Sequence, residues 1–384
     1  MLTNADKIEL TELRRQLHRY PEISGEEVET AKTIVSALES LSPTKIYTSL
    51  GGHGVAAVFD SGTDGPTIMF RAELDALPIQ EKSDNAWAST VTGKGHLCGH
   101  DGHMMFLLAL GRMLSRAPTA RGKVILMFQP AEEDGSGARA VVSEPNYDEI
   151  KPDYAFAIHI EPGKPWGYVA TRPGLINCAS LGLSIKLSGK TSHAADPEEG
   201  VSPAPAISAL IPKLNQLGTG GKLDENFRLV TVTHVNIGEP TFGIAPGDGV
   251  LYATLRTAND DALHSVLEDT KTIANTIAKA EALDIEFSVF DHFAASINDE
   301  EATRIAISAM KALNIEHGDE GLPMRASEDF GVFGRDAKAA MLCMGPGEDY
   351  AALHNPDYDF PDDLLPLGAA IFERITRDLL GTKS

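Results

Sequence analysis

Cys98 and His100 are two residues apart, with a glycine between them, in the stretch Gly95-His96-Leu97-Cys98-Gly99-His100-Asp101-Gly102-His103. A thiolate and an imidazole at that spacing can ligate one metal ion or bridge two. The apolar run from Met104 to Leu114 follows at once and reads as a buried helix. The cluster therefore falls at a strand-to-helix turn, where side chains point into a cleft. A polar loop capping that helix through Asp101 would account for the same residues. Further ligands at the ends of other elements weigh against it.

Those ligands recur with one pattern. Residues 123–129 form a nearly continuous apolar strand that runs into Pro130-Ala131-Glu132-Glu133-Asp134-Gly135. Three adjacent acids at the end of a buried strand repel one another, and they stay ionised together only with cations nearby. The apolar run 154–158 ends in His159, and the run 339–344 is followed by a loop holding His354. A strand over 67–71 leads to Glu73 and Asp75, the usual address for site residues in an open α/β sheet. Asp75 there could orient an imidazole, touch a metal or be a solvated loop acid. Cys98, His100, Glu133, His159 and His354 thus all fall at or after strand ends of one sheet. Five ligands exceed what one tetrahedral zinc with an open position uses, and they suit two ions that share a bridge. Glu132, beside a ligand and facing the other way, is free to shuttle a proton.

The elements that must position these groups come in two styles. Helical spacing over 7–19 ends at Pro21, and Ser24-Gly-Glu-Glu27 has the pattern of a capping box opening a second helix. Residues 177–292 read differently, as β-α-β-β-α-β, which predicts a four-stranded antiparallel sheet with both helices on one face. The first style then resumes. We expect an α/β catalytic domain with a mixed, mainly parallel sheet over 1–176 plus 293–384, interrupted by an inserted α+β, ferredoxin-like domain over 177–292.

Composition narrows the function classes. The chain has 384 residues and 42% hydrophobic content, enough for two domains with sizeable cores. Lys plus Arg number 33 against 55 Asp plus Glu, a formal charge of −22 that repels nucleic acid and anionic membrane. Residues 1–13 are polar and charged, and no apolar run approaches a membrane span. The three cysteines are an odd number, and Cys178 and Cys343 lie in apolar surroundings, so no disulfide framework is expected. These features predict a reduced, cytoplasmic protein with neither nucleic acid nor membrane as partner.

Taken together, Leu17-His-Arg-Tyr-Pro-Glu22, Arg71 to Pro78, Cys98-Gly-His-Asp101, Gln129-Pro-Ala-Glu-Glu133, His159, Gly189-Lys-Thr-Ser-His193-Ala-Ala, Ser327-Glu-Asp-Phe330 and His354-Asn-Pro span nearly the whole chain. In these motifs the sequence resembles the aminoacylase and carboxypeptidase family of binuclear metallohydrolases. The most similar branch holds hippurate hydrolases, N-acyl amino acid deacetylases and indoleacetyl amino acid hydrolases. The resemblance implies a zinc-peptidase-like catalytic domain whose Cys98, His100, Glu133, His159 and His354 bind two divalent metal ions. It implies that Glu132 is the general base, that Asp75 stands behind a ligand, and that the inserted domain forms a homodimer. In relatives the histidine matching His193 reaches the active site of the neighbouring subunit, and Arg256 matches the family's substrate-binding arginine. Two positions depart from the pattern: Glu73 stands where the branch more often has Asp, and Gly243 where relatives usually carry a substrate-holding Asn.

The chemistry implied is hydrolysis of the amide bond of an N-acyl amino acid. Two cations lower the pKa of a shared water, Glu132 takes its proton and passes it to the leaving amine, and the metals with His193 stabilise the oxyanion. Arg256 would fork onto the free carboxylate. Zinc suits the cysteine ligand best; manganese, nickel and cobalt also fit. A dipeptidase or carboxypeptidase of the same family is the runner-up. Rivals from other classes are a cysteine amidase using Cys98, which a chelator would leave active, and a non-catalytic binding protein, against which the intact Glu132 speaks.

Overall fold

The structure, a computed structural model, describes residues 2–383. Contacts divide it into two units. One runs through Ile176 and resumes over Ser296–Leu322 and from Glu328; the other holds Asn177–Ala295 with Pro323–Ser327. No helix among the described residues is long and apolar enough to cross a membrane.

The first unit is built on an eight-stranded mixed sheet. Its first five strands in chain order are β1 (Lys45–Leu50), β2 (Gly54–Asp60), β3 (Thr67–Glu73), β4 (Lys123–Gln129) and β5 (Tyr154–Ile160). They lie in the order β1-β2-β4-β3-β5, followed by Lys338–Met344 and two short strands, Val169–Ala170 and His317–Gly318. The centre is parallel: β4 with β3, β3 with β5, and β5 with Lys338–Met344. Parallel strands are covered on both faces, which is why β4 reads as an unbroken apolar run; its residues 124–129 are all buried. Parallel register also gathers the C-terminal ends of β3, β4, β5 and Lys338–Met344 along one edge.

Three helices of this unit concern the site: α1 (Asn4–Arg19), α2 (Val28–Glu39) and α3 (His100–Arg116). α3 is buried from His100 to Gly111, with the apolar run from Met104 to Leu110 that a helix enclosed in a core requires. Its cap is Gly99, whose φ of 90° is a left-handed conformation that glycine adopts without a Cβ penalty, and no side chain caps it. Asp101 lies inside the helix, so the rival reading of a loop capping it through Asp101, set aside above, does not hold either. The capping box expected at Ser24 is also absent. Glu27 precedes α2 without a side-chain cap bond. Ser24 donates instead to Asp75 at 2.7 Å, and Glu22 accepts from the Thr30 N–H at 2.8 Å. A tertiary partner has taken Ser24, and Glu22 satisfies the first turn of α2 in its place.

The second unit has four strands in the spatial order Arg228–Ile237, Asp248–Thr257, Ala179–Ser188, Asp284–Phe293, all antiparallel. Helices Ala204–Leu217 and Asp260–Ala280 interleave them in sequence. Strand alternation sets the burial: Leu181, Leu183, Ile185 and Leu187 point into the core with Leu251, Ala253 and Leu255, against Ile207, Leu210, Leu263 and Val266 from the helices.

Candidate metal centre

Each expected ligand of the first unit sits where a parallel strand hands over to a loop or helix. Cys98 and His100 bracket the left-handed Gly99 at the start of α3; Glu132 and Glu133 follow β4; His159 is near the end of β5; His354 lies in the loop after Lys338–Met344. Two of these turns are strained. Ala131, just before the glutamates, has φ of 49°, and His354 itself has φ of 65°, both in the left-handed region that residues with a Cβ avoid. The backbone N–H of His354 donates to the Leu97 carbonyl at 2.8 Å, which pins its loop beside Cys98.

The side chains converge. The Cys98 Sγ lies 3.5 Å from His159 Nε2. Glu133 approaches His100 Nε2 at 3.7 Å with one oxygen and His354 Nε2 at 3.6 Å with the other. Glu132 comes within 3.9 Å of the same His100 nitrogen. The potential ligand atoms of Cys98, His100 and His159 all lie within 4.8 Å of one another, as do those of Cys98, Glu133 and His354, and those of His100, Glu132 and Glu133. Cys98 thus belongs to two triads. The structure brings together all five expected ligands and Glu132; Asp134 turns away, accepting from the Ser136 N–H.

Hydrogen bonds aim the imidazoles. His100 Nδ1 donates to the Asp75 carbonyl at 2.9 Å and lies 3.4 Å from the Asp75 carboxylate. His159 Nδ1 donates to the Ile160 carbonyl at 2.7 Å. In both rings Nε2 is left facing the cluster. The carboxylate of Asp75 also accepts from Ser24 and from the Glu133 N–H at 3.0 Å, so one acid fixes His100 and the backbone of Glu133 together. Behind them His103, a residue that sequence reasoning passed over, donates from Nδ1 to Glu73 at 2.8 Å and accepts from the Ile160 N–H at 3.1 Å. Burial holds it neutral, with its pKa lowered to about 4.

Sequence reasoning also missed Arg71. It is fully buried on β3 and reaches Gln129 at 2.9 Å, Glu328 at 2.9 Å, Asp329 at 2.6 Å and, in direct contact, Glu73. Asp329 accepts further bonds from Gln129 and the Ala138 N–H. An arginine inside an otherwise apolar strand was the available signal, since such a charge is buried only with partners.

These acids are too many for one arginine. Burial, with Glu328, Glu133 and Asp329 nearby, pushes Glu132 well above the usual carboxylate range. Burial raises Glu133 to about 7, with Asp75 adding to it and His100 working against it. Burial opposes a charge on His100, yet Glu73, the bond to Asp75 and Glu133 outweigh it and raise its pKa to about 10. In protein alone, protons stand in for missing positive charge.

The donor set fits divalent metal ions. His100 Nε2 and Glu133 Oε1 are buried and have no hydrogen-bond partner, a costly arrangement unless an electron-pair acceptor lies between them. Thiolate, imidazole and carboxylate are the ligand types of a zinc-like ion.

The second unit carries the other two expected residues. His193 is exposed on a short bridge, paired with Ile244. Its Nδ1 accepts from the Ala195 N–H at 3.1 Å, which leaves the proton on an outward Nε2. Next to it, the Ala194 N–H donates to the Gly243 carbonyl. Arg256 donates to the Arg325 carbonyl at 2.9 Å and to Ser327 Oγ at 2.8 Å.

Comparison with known proteins gives the chain a family. Residues 69–378 match peptidase family M20/M25/M40. The chain is 30% identical to a hippurate hydrolase of Campylobacter jejuni, over 96% of this chain and 95% of that one. It is 28% identical to an N-acetylcysteine deacetylase of Bacillus subtilis over the full length of both. Among solved structures it is similar to a Bacillus subtilis protein described as a dinuclear metal binding peptidase from the M20 family, with a TM-score of 0.81, 28% identity and coverage of 99% of this chain and 100% of that one.

Replacing Arg71 by methionine would keep volume and remove the charge that Glu73, Glu328 and Asp329 share. Breaking a buried ion cluster typically costs about 3–5 kcal/mol. The unfolding midpoint of the R71M protein should fall accordingly in urea; a wild-type midpoint would contradict the assignment.

Proposed function

The chain belongs to peptidase family M20/M25/M40 and is a hydrolase, and from that premise we propose that it cleaves the amide bond of N-acyl amino acids with two divalent metal ions. One observation carries the reading most directly. The unpartnered His100 Nε2 and Glu133 Oε1 face the same place as Cys98, His159 and His354. The proposed ligands are those five residues. The ions supply Lewis acidity when bound, which makes water acidic near neutrality and polarises a carbonyl. Zinc is the ion best suited to a cysteine ligand, with manganese, nickel and cobalt as others that the set would accept.

The chain's own residues do the rest. Asp75 holds His100 in the tautomer that presents Nε2, and through the Glu133 N–H it ties the second ligand to the first. Glu132 is the proton carrier. Its environment raises its proton affinity, so it can take a proton from water as the amide carbon is attacked and hand it to the departing nitrogen. His193, with its proton outward on Nε2, is suited to donate to the oxyanion. Arg256, partnered only by neutral oxygens, is suited to the free carboxylate of the amino acid. We read the second unit as a ferredoxin-like module whose open edge strands pair two copies into a homodimer, since exposed edges tend to be covered and a two-fold axis makes one continuous sheet. In that dimer His193 serves the partner's centre. Cleavage of dipeptides is the second reading within the same family.

Glu132→Gln should lower turnover on N-acetyl, N-benzoyl or dipeptide substrates by about 10²–10⁴-fold, the usual worth of general acid–base catalysis. Metal content by elemental analysis should persist. Wild-type turnover, or loss of the metal, would show that the two glutamates have been given each other's roles.

His193→Ala should fold, dimerise, bind metal and be nearly inactive. Mixed with Glu132→Gln and allowed to exchange subunits, it should regain activity, because one of the two sites then carries neither lesion. A mixture that stays inactive after exchange has been demonstrated would rule out action across the dimer.

A further inference from the structure

In a chain with 55 acidic and 33 basic side chains, buried arginines are surrounded by carboxylates. Arg14 meets Asp101, Asp359 and Asp362, and Arg71 meets Glu73, Glu328 and Asp329. The second unit breaks this habit at one place. Arg256, half-buried on the strand Asp248–Thr257, donates only to neutral oxygens, the Arg325 carbonyl and Ser327 Oγ. Burial depresses its pKa. Arg325 is exposed; it donates to the Gly221 carbonyl at 2.9 Å and stands over the Phe227 ring at 5.4 Å. The Arg256 bond to the Arg325 carbonyl makes the two residues neighbours. No salt bridge reaches either arginine among the described residues.

The backbone that holds the pair is well fixed. Cys178 N–H donates to the Ala326 carbonyl, Asn177 bridges Met324, and the Ser180 and Ser327 hydroxyls meet at 2.7 Å. Segment 323–327 is thereby bound into the second unit and carries Arg325 to the end of the strand bearing Arg256. A half-buried guanidinium whose only partners are neutral oxygens pays a desolvation cost that no counter-charge repays. A carboxylate relieves that cost, because a guanidinium fork matches it, and a second carboxylate on the same ligand finds the neighbouring Arg325, whose carbonyl Arg256 already holds.

We propose that Arg256 and Arg325 form a two-arginine site for a dicarboxylate, so that the preferred substrates are N-acyl amino acids whose side chain bears a second carboxylate. Arg256 takes the α-carboxylate and Arg325 the side-chain carboxylate. The substrate part of this inference rests on the amidohydrolase reading given above; the binding part does not.

The test uses the full-length metal-loaded protein and the variant Arg325→Gln, an exposed position whose replacement leaves the fold intact. Calorimetry with glutarate and with butyrate reads binding without any reaction. Wild type should bind glutarate about tenfold or more tightly than butyrate, equivalent to about 1.4 kcal/mol, and R325Q should lose that preference. In kinetics, R325Q should raise KM for N-acetylglutamate about tenfold with kcat retained, while N-acetylmethionine changes less than about twofold. Equal affinity of wild type for the two acids, or a wild-type preference in R325Q, overturns the proposal. Glutarate selectivity lost in R325Q by a protein that hydrolyses none of these amides would leave the anion site standing and remove the amidohydrolase reading instead.

Discussion

The structure of the first unit turns on an excess of buried negative charge. Glu73, Asp75, Glu132, Glu328 and Asp329 are buried and Glu133 nearly so, yet the one guanidinium among them is Arg71. With every carboxyl ionised the formal sum is 1 − 6 = −5. Low dielectric makes such an imbalance expensive. Protein alone can lessen it by holding protons on Glu132, Glu133, Asp329 and His100. Two divalent ions would supply +4 at the place where the ligand atoms already converge. Divalent ions bound there would offset the cost of assembling the acids.

The parallel sheet makes that arrangement buildable. Strand ends β3, β4, β5 and Lys338–Met344 share one edge, so residues far apart in sequence meet without long loops. Rigidity comes from polar groups behind the ligands. Asp75 joins Ser24, His100 and Glu133; His103 joins Glu73 to the backbone of β5; Asp329 joins Arg71, Gln129 and the Ala138 N–H. A second buried network, Asp101 with Arg14 and His18, anchors the start of α3 to α1 and so holds Cys98 and His100 in place from the other side.

Much of this was legible in the sequence, for physical reasons that differ by residue. Unbroken apolar runs marked the buried strands, and reactive side chains at their ends could be placed on one edge. Alternation over 179–187 and 250–257 marked a sheet with one solvated face. What the sequence hid was partnership. Ser24 and Glu27 look like a helix cap because the pattern is local, whereas Asp75 and the Ala131 N–H, which claim them, are distant in the chain. Arg71, Glu328 and Asp329 carry no spacing that links them. His103 is indistinguishable in sequence from its neighbour His100; only the acceptor at Glu73 and the donor at Ile160 set it behind the centre. The left-handed backbone of Ala131 and His354 likewise has no glycine or asparagine to announce it.

The central claim is that five converging ligands and surplus buried acid exist to hold two cations. Elemental analysis of protein prepared with ample zinc or manganese, then freed of loosely bound ions, tests it most directly. The account predicts two divalent ions per chain, falling when Cys98 or Glu133 is replaced and unchanged when Cys343 is. A ceiling of one ion per chain in fully active protein would contradict it.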